Sequence, residues 1–355
     1  MDGLRAYAVC LIFFIHFFGH YFNGELGRPR LDFERFDVQA AHRIDHWTAY
    51  YLWASHYGVD LFFLISGFLI FKMVARAGFS YPGFLWNRVV RLYPAFVVAI
   101  GLYLAYMAAY WQRTFDFATI GQNLLLLHGI WELKIDPVVT ATWSLAYEWI
   151  FYIVFPLVLL VRRKGSSPSF WHLAFLAALV LFAAAPIGHH YMRLLMFVLG
   201  AALALAGPDP LRRIAARLPD GVVLVAYLAG NLVFVAQHNW YYFIPLYMVT
   251  AGALFINVVY GNDMLHRTFC WAPLNLLGRL SYSFYLLHSL AIFIVCDNVG
   301  PQLGIAPGLL LVVVLFILSF ALAMVFAAVS FWLLERPYFE RRIPTHEATR
   351  DRLSF

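Results

Sequence analysis

Arg5 and His16 stand eleven positions apart in the apolar stretch Leu4 to Phe22, LRAYAVCLIFFIHFFGHYF. At about 100° per residue, a helix returns both side chains to one face, roughly 16 Å apart along its axis. An ionisable group at bilayer depth is costly unless it is paired or lines a polar cavity, so its first reading is functional. The alternative is an Arg5 anchored among head groups and a His16 bonded to a neighbouring helix. The same-face placement favours chemistry, since an imidazole can exchange a proton near neutral pH.

Other polar groups enter apolar runs. Asp60 lies about one turn inside GVDLFFLISGFLI, where it could serve either as a partner for His16 or as a helix cap. Glu148, in TWSLAYEWIFYIVFP, is roughly two turns deep, too far in for a simple cap. A carboxylate there can raise the pKa of an imidazole and fix its tautomer. Ser281, Tyr285 and His288 share one helical stripe in SYSFYLLH, a pattern that interhelical hydrogen bonding also produces. Arg88 and Arg91, in RVVRLYP, could grip phosphate or simply touch lipid head groups.

The elements that must position these groups are membrane helices. The chain has 355 residues, 63% of them hydrophobic and 12% charged. Its mean hydropathy is +0.73. A soluble chain of this length cannot hide so much apolar surface, and the alternating pattern of an outer-membrane barrel is absent. The fold class is therefore all-α, a polytopic transmembrane bundle of about ten helices. Apolar runs of bilayer length fall at 4–22, 55–75, 92–111, 142–161, 170–187, 191–206, 222–237, 241–260, 277–296 and 308–334. The run at 191–206 is short and Ala-rich. Alternate loops carry most Lys and Arg, among them Arg76, Arg162, Arg163, Lys164, Arg212, Arg213 and Arg267. That bias places both termini in the cytoplasm. The long first loop, 23–54, also holds arginines, but long loops cross despite their charge.

The excess of basic residues, 25 against 19 acidic, follows from basic cytoplasmic loops and calls for no nucleic acid. Cys10, Cys270 and Cys296 are too scattered for a disulfide framework or a zinc site. His42, Asp45 and His46, His189 and His190, or His16 and His20 have metal-binding types, yet none forms a complete ligand set. The expectation is no metal. The first span is not a removable signal peptide, being too long for an h-region and lacking a cleavage site. The reading is a single membrane domain over 1–340 with a short cytoplasmic tail at 341–355.

Taken in order, these segments resemble the bacterial integral-membrane acyltransferases of acyltransferase family 3, which modify surface glycans. MDGLRAYAV opens like the family's first span, with ten residues between Arg5 and His16; GVDLFFLISGFLI matches the second. RVVRLYP supplies an R-x-x-R, TWSLAYE a W-S-L-x-x-E, SYSFYLLH the late Ser-Tyr…His segment, and LLERPYF the closing E-R-P. The chain stops soon after its last span, so the periplasmic esterase-like domain fused to some relatives is not expected.

The resemblance implies transfer of an acyl group, usually acetyl, from cytoplasmic acyl-CoA to a hydroxyl of a surface or lipid-linked sugar, within a bacterial inner membrane. In that scheme His16 is the base, with Glu148 or Asp60 orienting it. Arg5, Arg88 and Arg91 hold the CoA phosphates, while Trp143, Ser281, Tyr285 and His288 are candidates for substrate contact. The partners expected are acyl-CoA, a glycan or lipid-linked sugar, and membrane lipids. Two alternatives stand beside it. One is a transporter or flippase using the buried charges as a proton relay, for which no inverted repeat is visible. The other is acylation of a small molecule or lipid.

Overall fold

The computed structural model describes residues 1–23, 57–160, 169–187, 189–237, 240–306 and 309–340. The first loop, the basic residues at 162–164 and the tail at 341–355 lie outside them. Every regular element among the described residues is helical. The long ones coincide with the apolar runs. They are α1 (Asp2–Asn23), α2 (Tyr57–Val74) and α3 (Tyr81–Tyr110), followed by the short α4 (Phe117–Leu124) and by α5 (Trp143–Leu160). Next come α6 (Phe170–Ile187), α7 (Leu195–Ala206), the short α8 (Pro208–Ala215), α9 (Asp220–Gln237) and α10 (Trp240–Tyr260). The short α11 (Met264–Phe269) leads into α12 (Ala272–Phe293), α13 (Leu309–Ser330) and α14 (Arg336–Glu340).

All ten runs thus form helix, giving the expected helical membrane bundle. Among the described residues six helices are long and apolar enough to cross a bilayer alone. The number rises to seven if Tyr191–Ala206 and Pro208–Ala215, which meet at 102°, are counted as one bent span. The run at 191–206 owes its shortness to a 3-10 segment, His189–Leu194, that replaces its first turn.

At the centre, α1 packs between α2 and α12, with α7 beyond α2 and α13 beyond α12. Small residues permit the closest approaches, as expected where lipid gives helices no hydrophobic reason to associate. A Cβ on Gly67 would lie 2.1 Å from the Phe197 carbonyl oxygen, and one on Gly200 would lie 2.0 Å from that of Leu64. The α2–α7 backbones therefore touch through two reciprocal glycines, and Ala at either would force them apart. The outward faces of α6 and α13 carry exposed Phe182, Leu309 and Ile317, surface suited to acyl chains.

α3 begins at Ser80, whose hydroxyl accepts from the Gly83 N–H at 3.3 Å, with Pro82 in the first turn where its missing N–H costs nothing. Its 30 residues make a rod of about 45 Å, longer than the hydrocarbon core. The connection from α3 to α5 is a folded cap. Arg113 grips Asp136 at 2.5 and 2.7 Å, and Asn123 ties Thr119, Asp136 and Val138 together. Asp116 caps α4, and hydrogen bonds from the Thr119 backbone and hydroxyl hold its carboxyl below the usual range. Inside this cap, His128 Nε2 donates to Thr142 Oγ1 at 2.9 Å, since that hydroxyl itself donates to the Val139 carbonyl. Burial lowers the His128 pKa to about 4, so the ring is neutral at ordinary pH.

Candidate functional site

Polar side chains gather at three levels along α1, which α3 and α12 accompany in the same direction. The first level is the beginning of α1. Arg5 donates to Asp2 at 3.2 Å and lies within electrostatic range of Arg88, Arg91 and Glu148. Arg88 stacks on Phe84 and Tyr152 at 5.2 and 5.1 Å, and Arg91 lies 5.3 Å from the Phe339 ring centre. Among the described residues no carboxylate is in ion-pair contact with Arg88 or Arg91, and the Arg91 Nε is buried without a hydrogen-bond partner. Guanidiniums held by aromatic faces, with no carboxylate on their donors, keep those donors for an anion. Glu148 belongs to this level, where it accepts from Ser66 Oγ at 2.6 Å.

The second level is about three turns further along. His288 on α12 meets His16 on α1, 272 positions away in the chain, with Nε2 and Nδ1 2.9 Å apart. His288 Nδ1 is 2.7 Å from the Tyr285 carbonyl oxygen, which can only accept, so Nδ1 carries the proton and Nε2 the lone pair. His16 Nδ1–H then donates to that lone pair and to the Ile12 carbonyl at 2.9 Å. By this assignment the lone pair of His16 is on Nε2, outside the imidazole pair.

A tyrosine shapes the helix beneath His288. The Tyr103 hydroxyl on α3 donates to the Leu286 carbonyl at 3.2 Å and accepts from the Leu290 N–H at 2.8 Å. These groups stand four residues apart, the spacing of one helical turn, and α12 stays helical through them. The hydroxyl thus braces from the side the turn that presents His288. Tyr285 is fixed as well: its hydroxyl donates to the Ala141 carbonyl and meets Ser144 Oγ at 2.6 Å. Ser281 is buried one turn before it.

Neither carboxylate expected beside His16 is there. Asp60 is fully buried in a two-bond pair with Arg193, both contacts 2.8 Å. Arg193 also packs 4.9 Å from the Trp143 ring centre, so Trp143 belongs to this pair. The reason is depth. Gly58 on α2 meets α1 at Ala8, Leu11 and Ile12, so Asp60, two residues further along, lies well short of His16. Glu148 sits at the Arg5 level, again about three turns away. The imidazole, not a carboxylate, is the partner that the fold provides.

Sequence reasoning also missed Arg193, Tyr103 and two acidic residues carried on π-helical turns. Asp297, in Ile294–Val299, meets His20 at 3.0 Å and makes the third level. Glu335, in Phe331–Glu335, accepts from Ser283 Oγ at 2.5 Å. Each stands just past the end of a long apolar run, 277–296 or 308–334, where an acid reads as a boundary residue.

A helical membrane bundle with an imidazole pair, His288 buried and His16 half-buried, beyond a cluster of arginines is the class of protein defined so far. The profile of an acyltransferase domain, acyltransferase 3, matches residues 1–328, and the chain belongs to that family. A provisionally named O-acetyltransferase of Staphylococcus aureus (strain COL) is 25% identical over 339 residues, covering 83% of this chain and 54% of that protein. The exopolysaccharide production protein ExoZ of Rhizobium meliloti is 28% identical over 307 residues, covering 80% and 89%. A provisionally named peptidoglycan O-acetyltransferase of Bacillus subtilis, YrhL, is 24% identical, covering 81% and 47%. The chain thus spans about half the length of several curated relatives it matches. No solved structure matches it significantly.

Proposed function

We propose that this chain transfers an acyl group, acetyl in the simplest case, from acyl-CoA to a hydroxyl of a surface or exported glycan. The observation that carries this reading is the His16–His288 pair, with its lone pair on His16 Nε2, about 16 Å along α1 from the arginines. An extended pantetheine arm spans a distance of this order. Phosphates held by Arg5, Arg88 and Arg91 would let the thioester reach the imidazole. The names of the relatives, two of them O-acetyltransferases and one an exopolysaccharide production protein, support a glycan as acceptor.

The chemistry follows from the tautomers. His16 Nε2 takes the proton from the acceptor hydroxyl as its oxygen attacks the thioester carbonyl carbon. The imidazolium formed is stabilised by its Nδ1–H bond to His288. Collapse of the tetrahedral oxyanion breaks the carbon–sulfur bond, and the leaving thiolate of CoA takes the proton from His16 Nε2. Ester and free thiol are the products, and no proton is gained or lost overall.

Asp60 and Glu148 hold the scaffold and the donor end in this scheme, while Ser281 and Tyr285 line the approach to His288. The basic loops support an arginine end in the cytoplasm of a bacterial inner membrane, in a reading that takes residues 1–340 as one membrane domain. The test is isotopic. Membranes containing the chain, given acyl-labelled acetyl-CoA and surface polysaccharide, form labelled ester that alkali releases as acetate. Label confined to unreacted donor, in membranes where the chain is folded, would contradict the reading, and is what a transporter would give.

A further inference from the structure

The third level of polar groups is used by nothing above. His20, in the last turn of α1, is 5% exposed. Its Nε2 meets Asp297 Oδ1 at 3.0 Å, and a carboxylate accepts only, so Nε2 bears the proton. In the neutral ring Nδ1 then holds the lone pair, and among the described residues it is buried with no hydrogen-bond partner. A buried acceptor left unsatisfied is costly, so the arrangement calls for a donor that none of the described residues supplies.

The surroundings indicate what that donor belongs to. Phe293 packs on His20 at 4.9 Å and on Trp111 at 4.6 Å, which makes an aromatic bed. Asn298 Nδ2 donates to the Tyr106 hydroxyl at 3.3 Å beside it. Asp297 and Asn298 reach this place because the turn Ile294–Val299 is π-helical; such turns insert one residue and concentrate at functional sites. A carboxylate, an amide and an imidazole acceptor against flat aromatic rings suit a neutral, hydroxyl-rich ring. The location fits too. His20 follows His16 by one turn, about 6 Å, on the side away from the arginines. A pyranose with one hydroxyl at His16 Nε2 would carry its far hydroxyls to that depth.

We infer that His20, Asp297 and Asn298, on the Phe293–Trp111 aromatic bed, form the acceptor subsite, where His20 Nδ1 accepts a hydrogen bond from a sugar hydroxyl other than the one acylated. This rests on the acyltransferase reading proposed above. Asp297 and His20 are then binding residues that orient the sugar, and His16 remains the base.

The experiment uses the full chain in nanodiscs, acyl-labelled acetyl-CoA, and a panel of methyl glycosides as acceptors. For glycosides that the wild type acylates, His20→Leu and Asp297→Asn each raise the acceptor KM about tenfold, as loss of one hydrogen bond would, while the acetyl-CoA KM stays within about twofold. His20→Asn, whose amide oxygen stands near the position of Nδ1, recovers part of the loss. Should His20→Leu fail to insert, Asn298→Ala at the partly exposed rim carries the same expectation. Unchanged acceptor KM in these variants, or a matching rise in the acetyl-CoA KM, overturns the subsite. A folded wild type that forms no ester with glycosides or with polysaccharide overturns the acyltransferase reading itself.

Discussion

Two polar pairs inside this bundle are built on opposite principles. Asp60 and Arg193 form an ion pair with two short contacts, sealed from solvent and flanked by Trp143. His16 and His288 are held to each other and to backbone carbonyls, and their hydrogen bonds leave a lone pair on His16 Nε2. The first pair satisfies its members, so it can hold α2 against the 3-10 turn before α7 but has nothing to give a substrate. The second leaves one lone pair outside the pair, on an imidazole that can take a proton and give it back. Burial of an ionisable residue flagged both; only the hydrogen-bond accounting separates scaffold from chemistry.

That contrast can be broken by substitution. Asp60→Asn should be the most damaging to the fold. It leaves Arg193 charged and under-paired in the interior, which costs about 3–5 kcal/mol. A thermal melt in detergent should drop sharply, whereas the double change Asp60→Leu with Arg193→Met should melt nearer the wild type. Equal melting of Asp60→Asn and wild type would mean that the pair holds nothing.

His288→Gln should do the reverse, lowering acyl transfer about 10²-fold while the melt moves little. Its amide oxygen can still accept from His16 Nδ1–H but cannot share the developing charge as an imidazole does. A collapse of the melt in this variant would reclassify the imidazole pair as scaffold. Next in size is the donor end. Arg88→Gln with Arg91→Gln should raise the acetyl-CoA KM about tenfold or more and leave the acceptor KM alone. If donor affinity is unchanged, those arginines contact lipid only.

The smallest effect tests the brace on α12. Tyr103→Phe removes the hydroxyl that bonds both Leu286 and Leu290 and so loosens the hold of α3 on that turn. Since this shifts His288 and deletes no reacting group, kcat should fall several-fold, by about 1 kcal/mol of barrier, with both KM values steady. Full kcat would show that the Tyr103 hydroxyl does not position the histidine.

The bundle was legible in the sequence because each long helix is written as an apolar run, and bilayer burial leaves the chain no other way to satisfy its backbone. The imidazoles were legible singly, as ionisable groups at depth, but their pairing was not. Nothing in a helical period fixes how far one span is displaced along another, and that offset is what keeps Asp60 from His16. Counting inward from the start of a span put Asp60 at the level of His16, whereas Gly58 meets α1 at Ala8 to Ile12. Arg193 is hidden because it stands in the 3-10 turn that opens the short run at 191–206. Asp297 and Glu335 sit on π-helical turns, which rotate side chains off the face that a 3.6-residue period would predict.

The most direct test is ester formation by purified full chain, wild type beside His16→Gln, given acyl-labelled acetyl-CoA and surface polysaccharide at matched folded protein. The account predicts labelled ester from the wild type and a loss of about 10²–10⁴-fold in the variant, with acetyl-CoA still bound and the melt unchanged. Near-normal ester from His16→Gln would contradict it, because glutamine cannot take the proton that His16 Nε2 is assigned to accept.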